Sequence, residues 1–258
     1  MTVSYDGTDF KGWQVQPGER TVQGELQAAL GSIAGETPLP QGSGRTDAGV
    51  HALAQVASFA LNAPVPAANL QRALNRILPP SIRILAVEAA PPEFHARHAA
   101  VAKTYEYRIF RGAICPPFVS RFVHVCRWPL NLQIMREAAE SVMGSHDFIS
   151  FAASDSDLSL RSRAASDGET GMTVRTIYLS RWEERESEAG SLLIYRVRGN
   201  GFLHHMVRNL VGTMLEIGRG QLPAGAMAGI LKQRARSAAG PTAPARGLFL
   251  HSVEYEKP

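Results

Sequence analysis

Lys103-Thr104-Tyr105-Glu106-Tyr107-Arg108-Ile109-Phe110 decides the fold, because it restarts a pattern that the chain has already run once. Tyr105, Tyr107 and Ile109 fall on one face of an extended segment, the period-two mark of a half-buried strand. Working back, Thr2 to Tyr5 reads as a strand closed by the turn Asp6-Gly7. Val22, Leu26, Leu30 and Ile33 then recur at helical spacing, with Thr21 as N-cap and Gly35 as stop. Gln55 to Leu61 is a strand candidate. Leu70, Leu74, Ile77 and Leu78 form a second helical stripe ended by Pro79-Pro80, and Ile82 to Ala89 returns as a strand. Working forward, Leu132, Met135, Ala139 and Val142 mark a helix, and Thr173 to Trp182 and Leu192 to Arg198 mark strands. Leu203 to Ile217 is a long helix with Met206, Leu210, Met214 and Ile217 on its buried stripe, and Leu248 to Tyr255 is a last strand.

Short strands mixed with helices predict an α+β fold with antiparallel pairing. Pro91 to Ala102 reads as the link, which sets two halves, residues 1–100 and 101–258, with a cleft between them. Ser154 to Gly171, rich in Ser, Asp, Arg and Gly, reads as a mobile loop or an insertion.

Composition excludes more than it selects. A chain of 258 residues, 45% hydrophobic and 19% charged, buries enough surface to fold without disulfides or metals. No apolar run reaches the ~18 residues of a membrane span, and the N-terminus has no apolar signal core, so the cytoplasm is the expected location. Cys115 and Cys126 are too few and too far apart for a disulfide framework or a cysteine-based zinc site, and read as packing residues. A net charge of +4 permits an anionic partner without demanding one. The basic clusters Arg161 with Arg163, Arg196 with Arg198, and Lys232 with Arg234 and Arg236 are, taken singly, better read as solvated faces or helix ends.

Gly42-Ser43-Gly44-Arg45-Thr46-Asp47-Ala48-Gly49-Val50-His51-Ala52 is the most unusual stretch. Its glycines allow close backbone approach to a ligand. It is not a phosphate loop. Val50-His51 stands where the Lys-Ser/Thr of a P-loop belongs, and Asp47 occupies the place of the third glycine of a dinucleotide fingerprint, where it would repel a pyrophosphate. Without more, a turn in which Asp47 accepts local hydrogen bonds and Arg45 faces solvent is the better reading. The histidine pairs His95 with His98 and His204 with His205 lack the i, i+4 spacing of metal ligands on one helix face. They read, like His51, as packing or hydrogen-bonding residues.

Taken together, seven motifs change that balance. Tyr5-Asp6-Gly7-Thr8 with Gly12-Trp13-Gln14, Gly44 to Ala52, Lys103 to Tyr107, Gly144-Ser145-His146-Asp147-Phe148, Val174-Arg175-Thr176-Ile177, Gly201 to Asn209 and Gly247-Leu248-Phe249-Leu250 occur in order. With them the chain resembles the tRNA pseudouridine synthase A family over essentially its whole length. The resemblance implies two RRM-like halves in one antiparallel sheet with helices packed on one side, the first carrying the catalytic loop and the active cleft lying between them. It implies a homodimer acting on tRNA without a cofactor or metal, isomerising uridines of the anticodon stem-loop (tRNA nucleotides 38, 39 and 40). It maps the nucleophile onto Asp47, the substrate-contacting tyrosine onto Tyr105, the aspartate-pairing arginine onto Arg208, and the arginine that opens the base stack onto Arg45. The sequence departs from the family's usual pattern in its short N-terminus, in Val15 where an arginine is common, and in a longer stretch from Arg161 to Met172.

The chemistry fits these residue types. Isomerisation needs a nucleophile that forms and then releases a covalent intermediate, which a carboxylate does; attack on the sugar and attack on the base both remain open. A guanidinium offsets the desolvation of a buried carboxylate. On helical spacing Arg208 shares a face with His204, opposite the apolar stripe. Two other functions compete. A catalytically silent RNA-binding module has no use for Asp47, and a metal-free hydrolase would use Asp47 with His51.

Overall fold

The computed structural model describes residues 1–153, 172–187 and 190–256. The stretch 154–171, with Arg161 and Arg163, lies outside the described residues. Contacts divide the chain into two compact units, Met1–Lys103 with Phe249–Pro258, and Thr104–Leu248. The class is α+β, as expected.

In the first unit, β1 (Thr2–Tyr5) pairs antiparallel with both β3 (His51–Ser58) and β4 (Ile82–Ala86). The short β2 (Gln41–Gly42) pairs antiparallel with β3. The last strand, β10 (Leu248–Tyr255), runs parallel to β3 through Phe249 and Leu250, a departure from wholly antiparallel pairing. Helix α1 (Val22–Ala34) is capped as the sequence predicts. The Thr21 hydroxyl accepts the Gly24 amide at 3.3 Å, and Gly35 ends the helix at φ 68°. Helix α2 (Ala67–Ile77) packs on α1 and β4. Its stripe needs one correction, because Ile77 is 51% exposed while Leu70, Leu74 and Leu78 are buried. Pro79 holds Leu78 extended (ψ 145°), and Leu78 rather than Ile77 covers the helix end.

In the second unit, β5 (Ala100–Arg111), β9 (Gly190–Gly199), β8 (Val174–Ser187) and β7 (Gly144–Asp147) lie side by side in that order, and β6 (His124–Val125) runs parallel to β5. The β7–β8 and β8–β9 pairs are antiparallel. Among the described residues the α-helices of this unit are α3 (Pro117–Ser120), α4 (Leu132–Glu140), α5 (Met206–Gly218) and α6 (Ala226–Gln233). Met206, Leu210, Met214 and Ile217 of α5 are fully buried, as their spacing predicts. The indole N–H of Trp182 donates to Met214 Sδ at 3.2 Å, which fixes α5 against β8.

Two expectations change here. Helix α5 starts at Met206 rather than Leu203, because His205 takes the left-handed conformation (φ 60°). His204 is therefore off the helix and does not share a helical face with Arg208. On β5 the polar side of the alternation is not solvent-facing, since Glu106 is buried between Arg108 Nε (2.7 Å) and an Arg196 Nη (2.8 Å). Burial pushes the Glu106 carboxyl up, but hydrogen bonds from the two guanidiniums outweigh it and hold the group below the usual carboxylate range. Arginines of the basic clusters in the described residues are similarly engaged. Arg234 pairs with Asp147 at 2.7 Å, and Arg236 donates to Gly240 O at 2.9 Å and Asn209 Oδ1 at 3.1 Å. Both cysteines are free thiols, and among the described residues no helix is long and apolar enough to cross a membrane.

Segment 240–243 clamps α5. A Cβ on Gly212 would lie 1.7 Å from Pro241 O, and the Ala243 amide donates to Arg208 O at 3.1 Å. Gly212→Ala should therefore destabilise the protein by roughly 1–3 kcal/mol through overpacking. A thermal melt indistinguishable from wild type would show that the segment yields without cost.

Candidate active site

The loop between β2 and β3 carries Arg45 and Asp47, and its shape comes from hydrogen bonds that surround Thr46. The Thr46 carbonyl accepts the Trp13 amide at 3.0 Å, and its hydroxyl meets the Tyr5 hydroxyl at 2.7 Å. Burial pushes the Tyr5 phenol far above its ordinary range, so this partner stays a neutral hydroxyl. Upstream, the Gln55 amide donates to Gly44 O at 2.7 Å, the Ser43 hydroxyl donates to Gln55 Oε1 at 2.5 Å, and Lys103 Nζ donates to Ser43 O at 2.5 Å. Downstream, the Gly49 amide donates to Phe10 O and the Val50 amide to Asp47 O. Thr46 is buried, Asp47 half-buried and Arg45 exposed. A half-buried carboxylate thus stands between two backbone anchors, open enough to meet a substrate.

Two close approaches make glycine obligatory nearby. Gly12 has φ 93°, and a Cβ there would sit 2.7 Å from Thr46 O and 3.2 Å from the Asp47 carbonyl carbon. A Cβ on Gly7 would lie 1.9 Å from Val50 O. The Trp13 ring is buried against Gly42, so Gly12-Trp13 supports the loop from below.

His51 is structural. It is 1% exposed, its ring stacks on Phe249 at 4.7 Å, and its Nδ1 accepts the Gly7 amide at 3.0 Å. Asp6 Oδ1 lies 3.2 Å from the same nitrogen but is already engaged by the Thr8 amide and hydroxyl, so the amide bond defines the tautomer. With its ring stacked and its Nδ1 on the Gly7 amide, His51 supports the loop's backbone.

Tyr105 and Arg208 belong to the second unit. Tyr105 is 8% exposed and meets the Phe202 ring edge-on at 5.0 Å; Phe202 is a neighbour that strand periodicity could not supply. Tyr107 is fully buried and donates to Pro244 O at 2.8 Å, a structural role. Arg208 is the third residue of α5, half-buried, and its Nε donates to Ala243 O at 2.8 Å.

The sequence profile of the family described as tRNA pseudouridine synthase matches residues 1–98 and 138–256. The chain belongs to this family. It is 50% identical over 253 residues to the tRNA pseudouridine synthase A of Solibacter usitatus (strain Ellin6076), covering 98% of this chain and 97% of that protein. It is 42% identical over 257 residues to the tRNA pseudouridine synthase A of Moorella thermoacetica, covering 99% and 98%. The family protein of Halalkalibacterium halodurans is 42% identical over 250 residues, covering 96% and 89%. The resemblance read from the seven motifs is thereby borne out. In this chain the family-matched loop is pinned by backbone hydrogen bonds on both sides of Asp47.

Gly12→Ala tests that frame. Displacing Thr46 and Asp47 by about 1 Å should cut turnover on the order of 100-fold while the fold persists. Turnover near wild type in a folded variant would show that Asp47 does not depend on the Gly12 contact.

Proposed function

We propose that this protein isomerises uridine to pseudouridine in the anticodon stem-loop of tRNA, at the nucleotides named above, with Asp47 as nucleophile. The observation that carries the reading is the pinned Thr46, which holds the next residue half-buried on a family-matched loop. The reaction breaks the bond from ribose C1′ to N1 and forms one from C1′ to C5. The C5 hydrogen leaves as a proton and N1 ends protonated, so the base keeps its formula. Nothing is oxidised or reduced, and the residues proposed for the work are all side chains. Asp47 attacks and is later released. Arg208 is the guanidinium proposed to stabilise the carboxylate, Tyr105 the ring against which the uridine rests, and Arg45 the side chain that enters the vacated stack.

The same reading includes a homodimer and a cytoplasmic location. Ile114 and Phe118, 81% and 90% exposed near α3, are candidate dimer contacts. Sedimentation as a monomer at micromolar concentration would remove the dimer from the proposal.

Release of tritium from tRNA labelled at uridine C5 measures turnover directly. Asp47→Asn and Asp47→Ala should lose release by at least about 10³-fold while binding tRNA within a few-fold, because the carboxylate acts on the reacting atoms. Near wild-type release by either variant would show that the nucleophile lies elsewhere. Arg208→Lys should be slowed more than tenfold, since an ammonium does not reproduce the guanidinium fork. Unchanged kinetics would take Arg208 out of the site.

A further inference from the structure

The first unit contains a cavity of about 310 Å³ on the Arg45 side of the Asp47 loop. Trp13 and the backbone of Gly42 and Gly44 contribute to its walls, and Arg45, His95, Arg97 and His98 line it. None of its lining residues is acidic. Arg97 and His98 are exposed, and among the described residues neither Arg45 nor Arg97 makes an ion pair. This contrasts with the second unit, where Glu106 takes up Arg108 and Arg196. Two uncompensated guanidiniums converging on a concave surface are the electrostatic footprint of an anion site.

The imidazoles add a second feature. The His95 and His98 rings lie 4.3 Å apart between centroids, tilted by 53°. His95 Nδ1 accepts the Arg97 amide at 3.1 Å, so a neutral His95 carries its proton on Nε2 and is a donor there. Histidine rings and guanidinium planes are surfaces on which unstacked RNA bases rest. Arg45 is two residues from Asp47, a span of at most ~7 Å along the chain, so an occupant of this cavity is a near neighbour of whatever Asp47 attacks.

We propose that the cavity holds one nucleotide of the tRNA strand adjacent to the reacting uridine, with its base against the His95–His98 pair and its phosphate on Arg97. This subsite rests on the functional reading above and extends it, because it makes Arg97 and His98 binding residues for the flanking nucleotide rather than parts of the reacting centre. Arg97 then acts on substrate capture. Its loss raises KM and leaves the chemical step at saturating RNA little changed.

The test uses the full chain and an anticodon stem-loop RNA, with or without a neutral methylphosphonate at each phosphate flanking the target uridine. In the wild-type protein one of these substitutions should raise KM roughly tenfold, the weight of one charge-assisted hydrogen bond. Arg97→Ala should raise KM by a similar factor, with kcat within about threefold, and should lower the slope of log Kd against log salt by about one. The same methylphosphonate should then have no further effect on Arg97→Ala. Val15→Glu, at a lining position that is 42% exposed, adds a carboxylate to the cavity without removing a contact, and should also raise KM. Arg76→Ala, an equal loss of charge on the exposed side of α2, should leave the slope unchanged. Additive effects of Arg97→Ala and every methylphosphonate, or an Arg76→Ala slope change equal to that of Arg97→Ala, would overturn the subsite. A wild-type protein that forms no pseudouridine in the unmodified RNA would instead overturn the functional reading.

Discussion

Much of the proposed chemistry depends on the position of Thr46. Its carbonyl is held by the Trp13 amide and its hydroxyl by Tyr5, so the residue that follows has little freedom along the chain. These bonds are buried, where an unmet polar group costs more than the net gain of a bond made in water. The rest of the first unit is arranged around that need. β1 brings Tyr5 to the loop, Gly12 lets the 10–13 turn approach within contact of Thr46, and Gly42 lets the Trp13 ring lie beneath. An aspartate chosen for reactivity is held by neighbours chosen for rigidity, a division of roles common where loops on rigid scaffolds carry function.

Much of this frame is legible in the sequence. The α1 caps at Thr21 and Gly35, the α5 stripe and the closing strand at Leu248–Tyr255 follow from local periodicity and turn chemistry, which tertiary contacts here reinforce. What was not legible depends on partners distant in sequence. The burial of Glu106 needs Arg196, 90 positions away, and no alternation rule announces a carboxylate held between two guanidiniums. The late start of α5 turns on a single left-handed residue, His205, within a stretch whose apolar spacing reads as helix. The parallel pairing of β10 with β3 joins residues almost 200 positions apart (Phe249 with His51) and has no local signal at all.

The candidate site divides in the same way. Asp47 and Arg45 stood out because glycines and charges in an otherwise ordinary chain are conspicuous, although the reading of that loop as reactive came from the ordered set of motifs rather than from the loop itself. The histidines were read as structural, and His51 is so, with its Nδ1 on the Gly7 amide. His95 and His98 differ. The cavity they line and the absence of acidic residues from that lining are properties of a surface, assembled from four separated segments, and a linear reading of spacing does not contain them.

The most direct test of the account is site mapping of pseudouridine in unmodified tRNA transcripts incubated with the protein, run beside Asp47→Ala. The account predicts new pseudouridine in the anticodon arm with the wild-type protein and none with the variant. Pseudouridine formed equally by both, or tRNA bound by the wild type with no pseudouridine at any position, would contradict it.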